Sequence, residues 1–508
     1  MQTDLLSRQD YAGIAASMNY PANAWINGKY TPARSGNEFT STNPATGEVI
    51  TKIASCGAED VDYAVKKARQ AFDSGVWSKL HPSERKKILI KWCKHMMRNR
   101  HELAVLESLD SGKPIRDCAT IDLPEAIHCI EWYAEAADKL FDNISPSGDD
   151  AMGLIVREPC PVVGCVLPWN FPLQMFAWKV GPALAAGCSI IVKPAEQTSM
   201  SALRMAELSR EAGLPDGVLN IVTGPGRVVG QAIGMHQGID AASFTGSTEV
   251  GRGFLKCSAE SNLKKITLEL GGKNPSVVLS DAEHLDQVAE QVVRACFWNM
   301  GQNCTSNSRL IVHKSIKEDL LERVLVKLRE WKTGDPLEPS NALGSLVSKS
   351  HFEQVMKYVE IGKKEGAKLL CGGEPLAEGS GLFLPPTVFD NVTPEMTIYR
   401  EEIFGPVLAV ITAGSDEEAL RLGNDTCYGL QASIFTSNVR KALRGARELQ
   451  AGTVTVNCYG EGDITTPFGG YKLSGFGGRD NGLEAFDQYT EKKTIWIHLG
   501  EDEIDAEL

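Results

Sequence analysis

Cys304 lies in the polar run Asn299-Met300-Gly301-Gln302-Asn303-Cys304-Thr305-Ser306-Asn307-Ser308-Arg309. Upstream, Leu285, Val288, Ala289, Val292, Val293, Cys296 and Phe297 recur at helical spacing, and Gly301 marks an expected helix stop. Downstream, Leu310, Ile311 and Val312 read as a strand. The thiol therefore belongs on a short turn between two buried elements, held in place yet open to a ligand. That suits a nucleophile, although a single Cys is more often a small buried apolar residue. Other residues must carry the case.

Five more loops offer chemistry. Glu269 ends an apolar run and precedes Gly271 and Gly272, so its carboxylate could act as a base or accept backbone donors. Asn170 sits in the stiff stretch Pro168-Trp169-Asn170-Phe171-Pro172, able to aim an amide at a developing oxyanion or simply to make a turn. Lys193 and Glu196 follow another strand, where they form a ribose clamp or a plain ion pair. Gly224-Pro225-Gly226 with Gly230 departs from the GxGxxG spacing and is a weak phosphate-loop signal. Gly246-Ser247-Thr248 opens a helix, either as an anion site or as an ordinary N-cap.

The elements that must position these loops follow from the apolar rhythm. Runs at Val162-Leu167, Cys188-Val192, Val218-Val222, Ala241-Phe244 and Ile266-Leu270 alternate with helical stretches such as Ser201 to Glu211 and Glu249 to Ser258. This predicts a doubly wound α/β domain, in which ligands bind beyond the carboxyl ends of the strands. Each candidate loop directly follows one of these runs. Residues 276–457 repeat the alternation as a second α/β domain holding Cys304, with Ser415-Asp416-Glu417-Glu418 as a capping box. Before these domains, Ala24 to Tyr30 and Glu48 to Ala54 read as short strands around turns at Asn27-Gly28 and Thr46-Gly47. Val61 to Phe72, Arg85 to Leu109 and Glu125 to Leu140 read as helices. Phe141 to Pro159 is a Gly- and Asp-rich excursion, and Thr494 to His498 is a closing strand.

The totals narrow the classes. A chain of 508 residues implies two or three domains. A net charge of −13 without a long basic run disfavours nucleic acid and anionic membrane as partners. No apolar run is long enough to span a bilayer. Thirteen cysteines without CxxC or zinc-like spacing, and a polar start without a secretory signal, predict reduced thiols, no metal site and a cytoplasmic location. The acidic tail from Glu501 to Leu508 reads as a solvated, frayed end.

Taken together the motifs resemble the NAD(P)-dependent aldehyde dehydrogenase superfamily over nearly the whole chain. Pro168-Trp169-Asn170-Phe171-Pro172, Lys193-Pro194-Ala195-Glu196, Phe244-Thr245-Gly246-Ser247-Thr248, Leu268-Glu269-Leu270-Gly271-Gly272-Lys273, Gly301-Gln302-Asn303-Cys304, Glu401-Glu402-Ile403-Phe404-Gly405-Pro406 and Pro467-Phe468-Gly469-Gly470 occur in the family's order. The resemblance implies Cys304 as nucleophile, Asn170 and the Cys304 N–H as oxyanion donors, and Glu269 as the base that activates water. A free Cys ionises near about 8.5, so some activation is implied. For the cofactor, NAD, it implies Trp169, Lys193, Glu196, Gly226, Gly230, Phe244, Gly246, Ser247, Leu270, Glu402 and Phe404. Glu196 should repel a 2′-phosphate and favour NAD over NADP. It also implies a cofactor domain (1–140 and 160–271), a catalytic domain (272–480) and a bridging sheet (141–159 and 481–508) that supports a homodimer or homotetramer.

The loop Asn457-Cys458-Tyr459-Gly460-Glu461-Gly462-Asp463-Ile464-Thr465-Thr466 carries Gly462 between two acids. Relatives that take plain aldehydes often have an aromatic residue near this point. The Gly-Asp pair and the closing strand resemble bacterial γ-glutamyl-γ-aminobutyraldehyde and guanidinobutyraldehyde dehydrogenases. The expected substrate is thus an ω-amino, ω-guanidino or γ-glutamylamino aldehyde of polyamine breakdown. Glu461 or Asp463 would attract its cationic end, and Phe171, Met175, Trp178, Ile464 and Phe468 would wall the tunnel, with Glu125 nearby. The alternatives are a broad-specificity enzyme for neutral aldehydes, a CoA-acylating relative, which would not need Glu269, and a structural protein on the same scaffold, which would not need Cys304.

Overall fold

The computed structural model describes residues 5–377, 379, 381–460 and 462–500. Glu461 and the tail from Glu501 to Leu508 lie outside the described residues. Two large sheets form the body. The first has eight strands in the order Gly475–Phe476, Lys265–Glu269, Ala241–Thr245, Val162–Val166, Ser189–Lys193, Leu219–Ile221, Ala24–Ile26, Lys29–Thr31. Its five inner strands are parallel and its edges antiparallel. Val162–Val166, Ser189–Lys193 and Ala241–Thr245 are buried at every position, as expected for parallel strands covered on both faces.

Strand order fixes where a ligand can sit. From Val162–Val166 the chain crosses first to Ser189–Lys193 on one side; Ala241–Thr245 pairs on the other. The connections diverge at that seam, which opens a crevice at the carboxyl ends. Lys193, Thr245 and Glu269 are the last residues of their strands, and the Trp169–Phe171 loop follows Val166.

The second sheet has seven strands, all parallel except Lys368–Cys371 at one edge. Residues 270–274 join Glu269 to Pro275, the first residue of its strand Pro275–Val278. The carboxyl end of the first sheet therefore leads into the amino end of the second, where the Cys304 loop enters strand Arg309–His313. A third sheet pairs Thr490–His498 with Ala151–Pro159 and the latter with Asn143–Ser145. This is the excursion after Leu140, in the register Thr490↔Pro159 to His498↔Ala151.

Local chemistry explains most boundaries. Asn27 and Gly28, at φ 53° and 75°, make the two-residue hairpin turn that needs left-handed backbone at both positions. The helix expected over Arg85 to Leu109 is two helices, Pro82–Arg98 and Arg100–Ser111. Asn99 divides them, its side-chain amide bonding the His95 carbonyl at 2.8 Å. The helix before Cys304 ends at Phe297, earlier than Gly301, because Trp298 turns extended and Asn299, Met300 and Gly301 all take positive φ. The expected capping box at Ser415 is half formed. Ser415 Oγ accepts from the Glu418 N–H at 3.2 Å, but Glu418 turns its carboxylate to the Gly414 N–H at 2.7 Å. Among the described residues no helix is long and apolar enough to cross a membrane.

Candidate active site

The Cys304 turn is wound tightly and tied from both sides. Left-handed backbone at a non-glycine residue costs about 1–2 kcal/mol, so Asn299 and Met300 need compensating contacts. Asn299 provides them: its side-chain amide donates to the Asn170 carbonyl at 3.0 Å and the Gln302 carbonyl at 2.9 Å. Gly301 is required by close approach, since a Cβ there would lie 2.2 Å from the Gly405 carbonyl oxygen. The Asn274 amide donates to the Cys304 and Ser306 carbonyls at 2.8 and 3.0 Å. Gln302 Oε1 accepts from the Val347 N–H at 3.0 Å. Behind the thiol, the Asn303 amide donates to Tyr459 Oη at 2.8 Å.

Asn170 is brought to this turn although it lies in the other half of the chain. Its Nδ2 donates to the Gln302 carbonyl at 3.1 Å. Glu269 and Cys304 line one small cavity with Phe171, Met175, Trp178, Leu430 and Phe468. Burial, and then the nearby Asp480, push the Glu269 carboxyl well above the usual carboxylate range. Its Oε2 is buried without a hydrogen-bond partner. A fully buried ion pair, Lys179 to Asp480 at 2.5 Å, stands beside it.

That cavity shares wall residues with two larger spaces. Thr245, whose buried Oγ1 has no partner, lines both it and a groove of about 690 Å³. Trp169, Lys193, Glu196, Gly226, Gly230, Phe244, Gly246 and Ser247 line that groove. Lys193 Nζ lies 3.4 Å from Glu196 Oε2, which also accepts from the Gly226 N–H at 3.2 Å. Burial lowers the Lys193 ammonium's affinity for its proton. Ser247 caps its helix, accepting from the Val250 N–H at 3.4 Å. Glycine is needed at 246, where a Cβ would sit 2.5 Å from the Phe244 ring. On the other side, Gln174 and Trp178 line both the thiol cavity and a mouth of about 250 Å³. Glu125, His128, Arg294, Asp463 and Ile464 also line the mouth.

Three of the expected cofactor residues are elsewhere than the groove wall. Leu270 faces the thiol cavity. Glu402 Oε1 accepts from the Gly272 N–H at 2.9 Å, and desolvation pushes its carboxyl up to about 7. Phe404, at φ 58°, sets its ring edge-on to Trp169 at 5.2 Å. Asp463 is exposed at the mouth, and its Oδ1 accepts from the Thr465 N–H at 3.0 Å, which lowers its pKa. Sequence reasoning missed Gln174, which donates to Glu125 at 2.6 Å, as well as Lys179, Asp480, Thr245 and Asn274. It also missed His351, which bonds the Phe404 carbonyl at 2.8 Å and packs against Trp169 at 4.9 Å. Gln174, Lys179, Asp480 and His351 make their contacts across long sequence separations, whereas Thr245 lies inside the 244–248 motif and Asn274 directly follows the 268–273 motif.

A thiol and a carboxylate in one cavity, between a long groove at a parallel-sheet switch point and a mouth carrying Glu125, Asp463, His128 and Arg294, suit an oxidoreductase of carbonyl compounds. The chain belongs to the aldehyde dehydrogenase family, whose sequence profile matches residues 30–495. It is 55% identical over 495 residues to an aminoacetaldehyde dehydrogenase of Pseudomonas aeruginosa, covering 97% of this chain and 99% of that protein. It is 44% identical to the NADP/NAD-dependent aldehyde dehydrogenase PuuC of Escherichia coli, covering 96% and 97%. Among solved structures it is similar to a mutant of the P. syringae indole-3-acetaldehyde dehydrogenase AldA in complex with NAD+ and IAA. That likeness has a TM-score of 0.96 at 45% identity, covering 97% of this chain and 100% of the other.

Proposed function

We propose that this protein oxidises an ω-amino or ω-guanidino aldehyde to the carboxylic acid with NAD, through a thioester on Cys304. The observation that carries the reading is the single cavity shared by Cys304 and Glu269, which has Thr245 in common with the groove and Gln174 and Trp178 in common with the mouth. Cofactor and aldehyde thereby approach the sulfur from opposite sides.

Cys304 Sγ attacks the carbonyl carbon, giving a thiohemiacetal. Its oxyanion is held by the Asn170 amide, which has a second N–H beyond the one given to Gln302, and by the Cys304 N–H. The groove fits a dinucleotide: Lys193 and Glu196 suit ribose hydroxyls, the Ser247-capped helix start suits pyrophosphate, and buried Thr245 Oγ1 awaits a partner. When bound there, a nicotinamide dinucleotide supplies the hydride acceptor that turns the thiohemiacetal into a thioester. Glu269 then takes a proton from water, the hydroxide oxygen bonds the thioester carbon, and the Cys304 thiolate leaves. Its raised pKa makes Glu269 a stronger base than a solvated carboxylate.

Among the described residues at the mouth the two carboxylates Glu125 and Asp463 outnumber the one guanidinium, Arg294, which supports a cationic far end, and the related P. aeruginosa aminoacetaldehyde dehydrogenase agrees with it. The apolar walls Phe171, Met175, Trp178 and Phe468 suit the chain between the charge and the carbonyl. They would equally admit a neutral aldehyde, as the P. syringae relative's name illustrates. The exposed Ile495, Trp496 and Ile497 on the closing strand support a homodimer or homotetramer built through the third sheet. The three sheets support the division into cofactor, catalytic and bridging parts. Among the described residues no disulfide joins any two cysteines, in keeping with a cytoplasmic location. The deciding experiment is a steady-state panel of 3-aminopropanal, 4-guanidinobutanal and neutral aldehydes of matched length. The cationic compounds should have the higher kcat/KM; equal values would remove the cationic assignment.

A further inference from the structure

We propose that Lys113, Glu107 and Asp122 are positioning residues for the oxyanion donor Asn170, acting on its loop from beneath through Phe171 and the start of the following helix. The proposal rests on the assignment of Asn170 as that donor.

The helix Pro172–Ala186 begins two residues after Asn170, yet its N-cap, Phe171, offers no capping side chain. A helix start leaves backbone donors without partners, and here they are buried. Glu107, on the separate helix Arg100–Ser111, supplies the acceptor: its Oε1 takes the Leu173 N–H at 3.0 Å. Lys113 follows the same helix. Its ammonium is 2.6 Å from Asp122 Oδ2 and lies over the Phe171 ring, 4.1 Å from the centroid. An aromatic neighbour of that ring is Trp298, with centroids 5.2 Å apart. Trp298 opens the turn whose next residue, Asn299, bonds the Asn170 carbonyl. Lys113, Phe171 and Trp298 thus form a run of contacts from the end of helix Arg100–Ser111 to the thiol turn, with Asn170 next to Phe171 in the chain and bonded by Asn299, the neighbour of Trp298.

The charges are costly to place there. Glu107, Lys113 and Asp122 are all at most 1% exposed. A buried ion pair often stabilises no better than apolar residues of similar volume, so stability alone does not account for it. What it provides is direction. A cation over a ring face and a carboxylate on one N–H fix both the Phe171 ring and the helix start. Asn170 is left little freedom to turn its amide away from the sulfur. A misplacement near 1 Å can cost about 100-fold in rate.

Lys113→Met and Asn170→Ala, singly and combined, test the link in the full-length protein. The expected effect of Lys113→Met is a kcat lower by roughly 10- to 100-fold, with KM for aldehyde and NAD nearly unchanged. Iodoacetamide alkylation of Cys304, followed on its own peptide by mass spectrometry, should keep its rate, because that reaction develops no oxyanion. Lys113→Arg should restore most of the activity. In the Asn170→Ala background, Lys113→Met should cost less than about twofold more. If Asn170→Ala alone leaves kcat intact, the assignment of Asn170 falls. If Asn170→Ala is costly and Lys113→Met multiplies its loss in full, or slows alkylation equally, the positioning role falls. Should Lys113→Met not fold, Glu107→Gln and Glu107→Leu decide instead. Gln keeps an acceptor for the Leu173 N–H and should retain kcat, Leu should lower it, and equal values in both would overturn the proposal.

Discussion

The side-chain amide of Asn170 donates to the Gln302 carbonyl at 3.1 Å, two residues before the thiol and across the junction of the two large sheets. This bond ties the amide to the backbone that positions Cys304, so amide and thiol are held in one unit. An amide held in advance stabilises charge without reorganising as the charge appears.

Replacing that amide should therefore hurt turnover more than binding. Asn170→Ala is expected to lower kcat by about 100- to 1000-fold with a small change in aldehyde KM. Stopped-flow NADH absorbance at saturating aldehyde checks this. An unchanged kcat would mean that backbone donors suffice.

Glu269 carries a prediction for both rate and stability. Burial raises its pKa, so the folded protein keeps this proton to higher pH than the unfolded chain does. The associated stability is full below the unfolded value of about 4.3 and is lost as pH rises through the folded value. Glu269→Gln, which cannot ionise, should raise Tm relative to the parent at pH 8, and the gap should close near pH 4. Calorimetry across this range is the check. Conversely, acid release by the parent enzyme should rise with pH through the same titration, and the variant should lose that dependence.

Much of this was legible beforehand, and the reason is local. The loops at 168–172, 193–196, 246–248 and 269–272 each follow an apolar run, so a parallel sheet put them at one end without any long-range knowledge. Asn27-Gly28 announced its own hairpin. What stayed hidden depends on partners far away in the chain. Nothing near Lys179 pointed to Asp480, nor near His351 to Phe404, and Glu125 was expected near the tunnel without its bond to Gln174. The helix stop before Cys304 was misplaced because Gly301 was read as the terminator, whereas the chain leaves the helix after Phe297. Only the bonds from Asn299 to Asn170 and Gln302 make the left-handed turn worthwhile.

Cofactor choice should follow Glu196. Its carboxylate already holds the Gly226 N–H and faces Lys193, leaving a negative charge beside the groove. Catalytic efficiency should be higher with NAD than with NADP, and Glu196→Gln should narrow the ratio. Parallel titrations with both cofactors measure it; a ratio near one in the parent enzyme would contradict the role given to Glu196.

At the mouth, Asp463 and Glu125 should act on substrate charge alone. Asp463→Asn and Glu125→Gln are each expected to raise KM for 3-aminopropanal by about two- to fivefold, in line with solvent-screened ion pairs. KM for a neutral aldehyde of equal length should hold steady, and the effect on 3-aminopropanal should shrink at high salt. Equal effects on both aldehydes would point to a packing role.

Turnover through a thioester requires the carbonyl carbon to become bonded to Cys304. Intact-protein and peptide mass spectrometry of Glu269→Gln, quenched in acid after mixing with aldehyde and NAD, tests it most directly. The account predicts an acyl adduct on the Cys304 peptide, close to one per subunit, formed alongside one equivalent of NADH and decaying slowly. NADH production with no adduct on Cys304, or with the adduct on another of the thirteen cysteines, would contradict it.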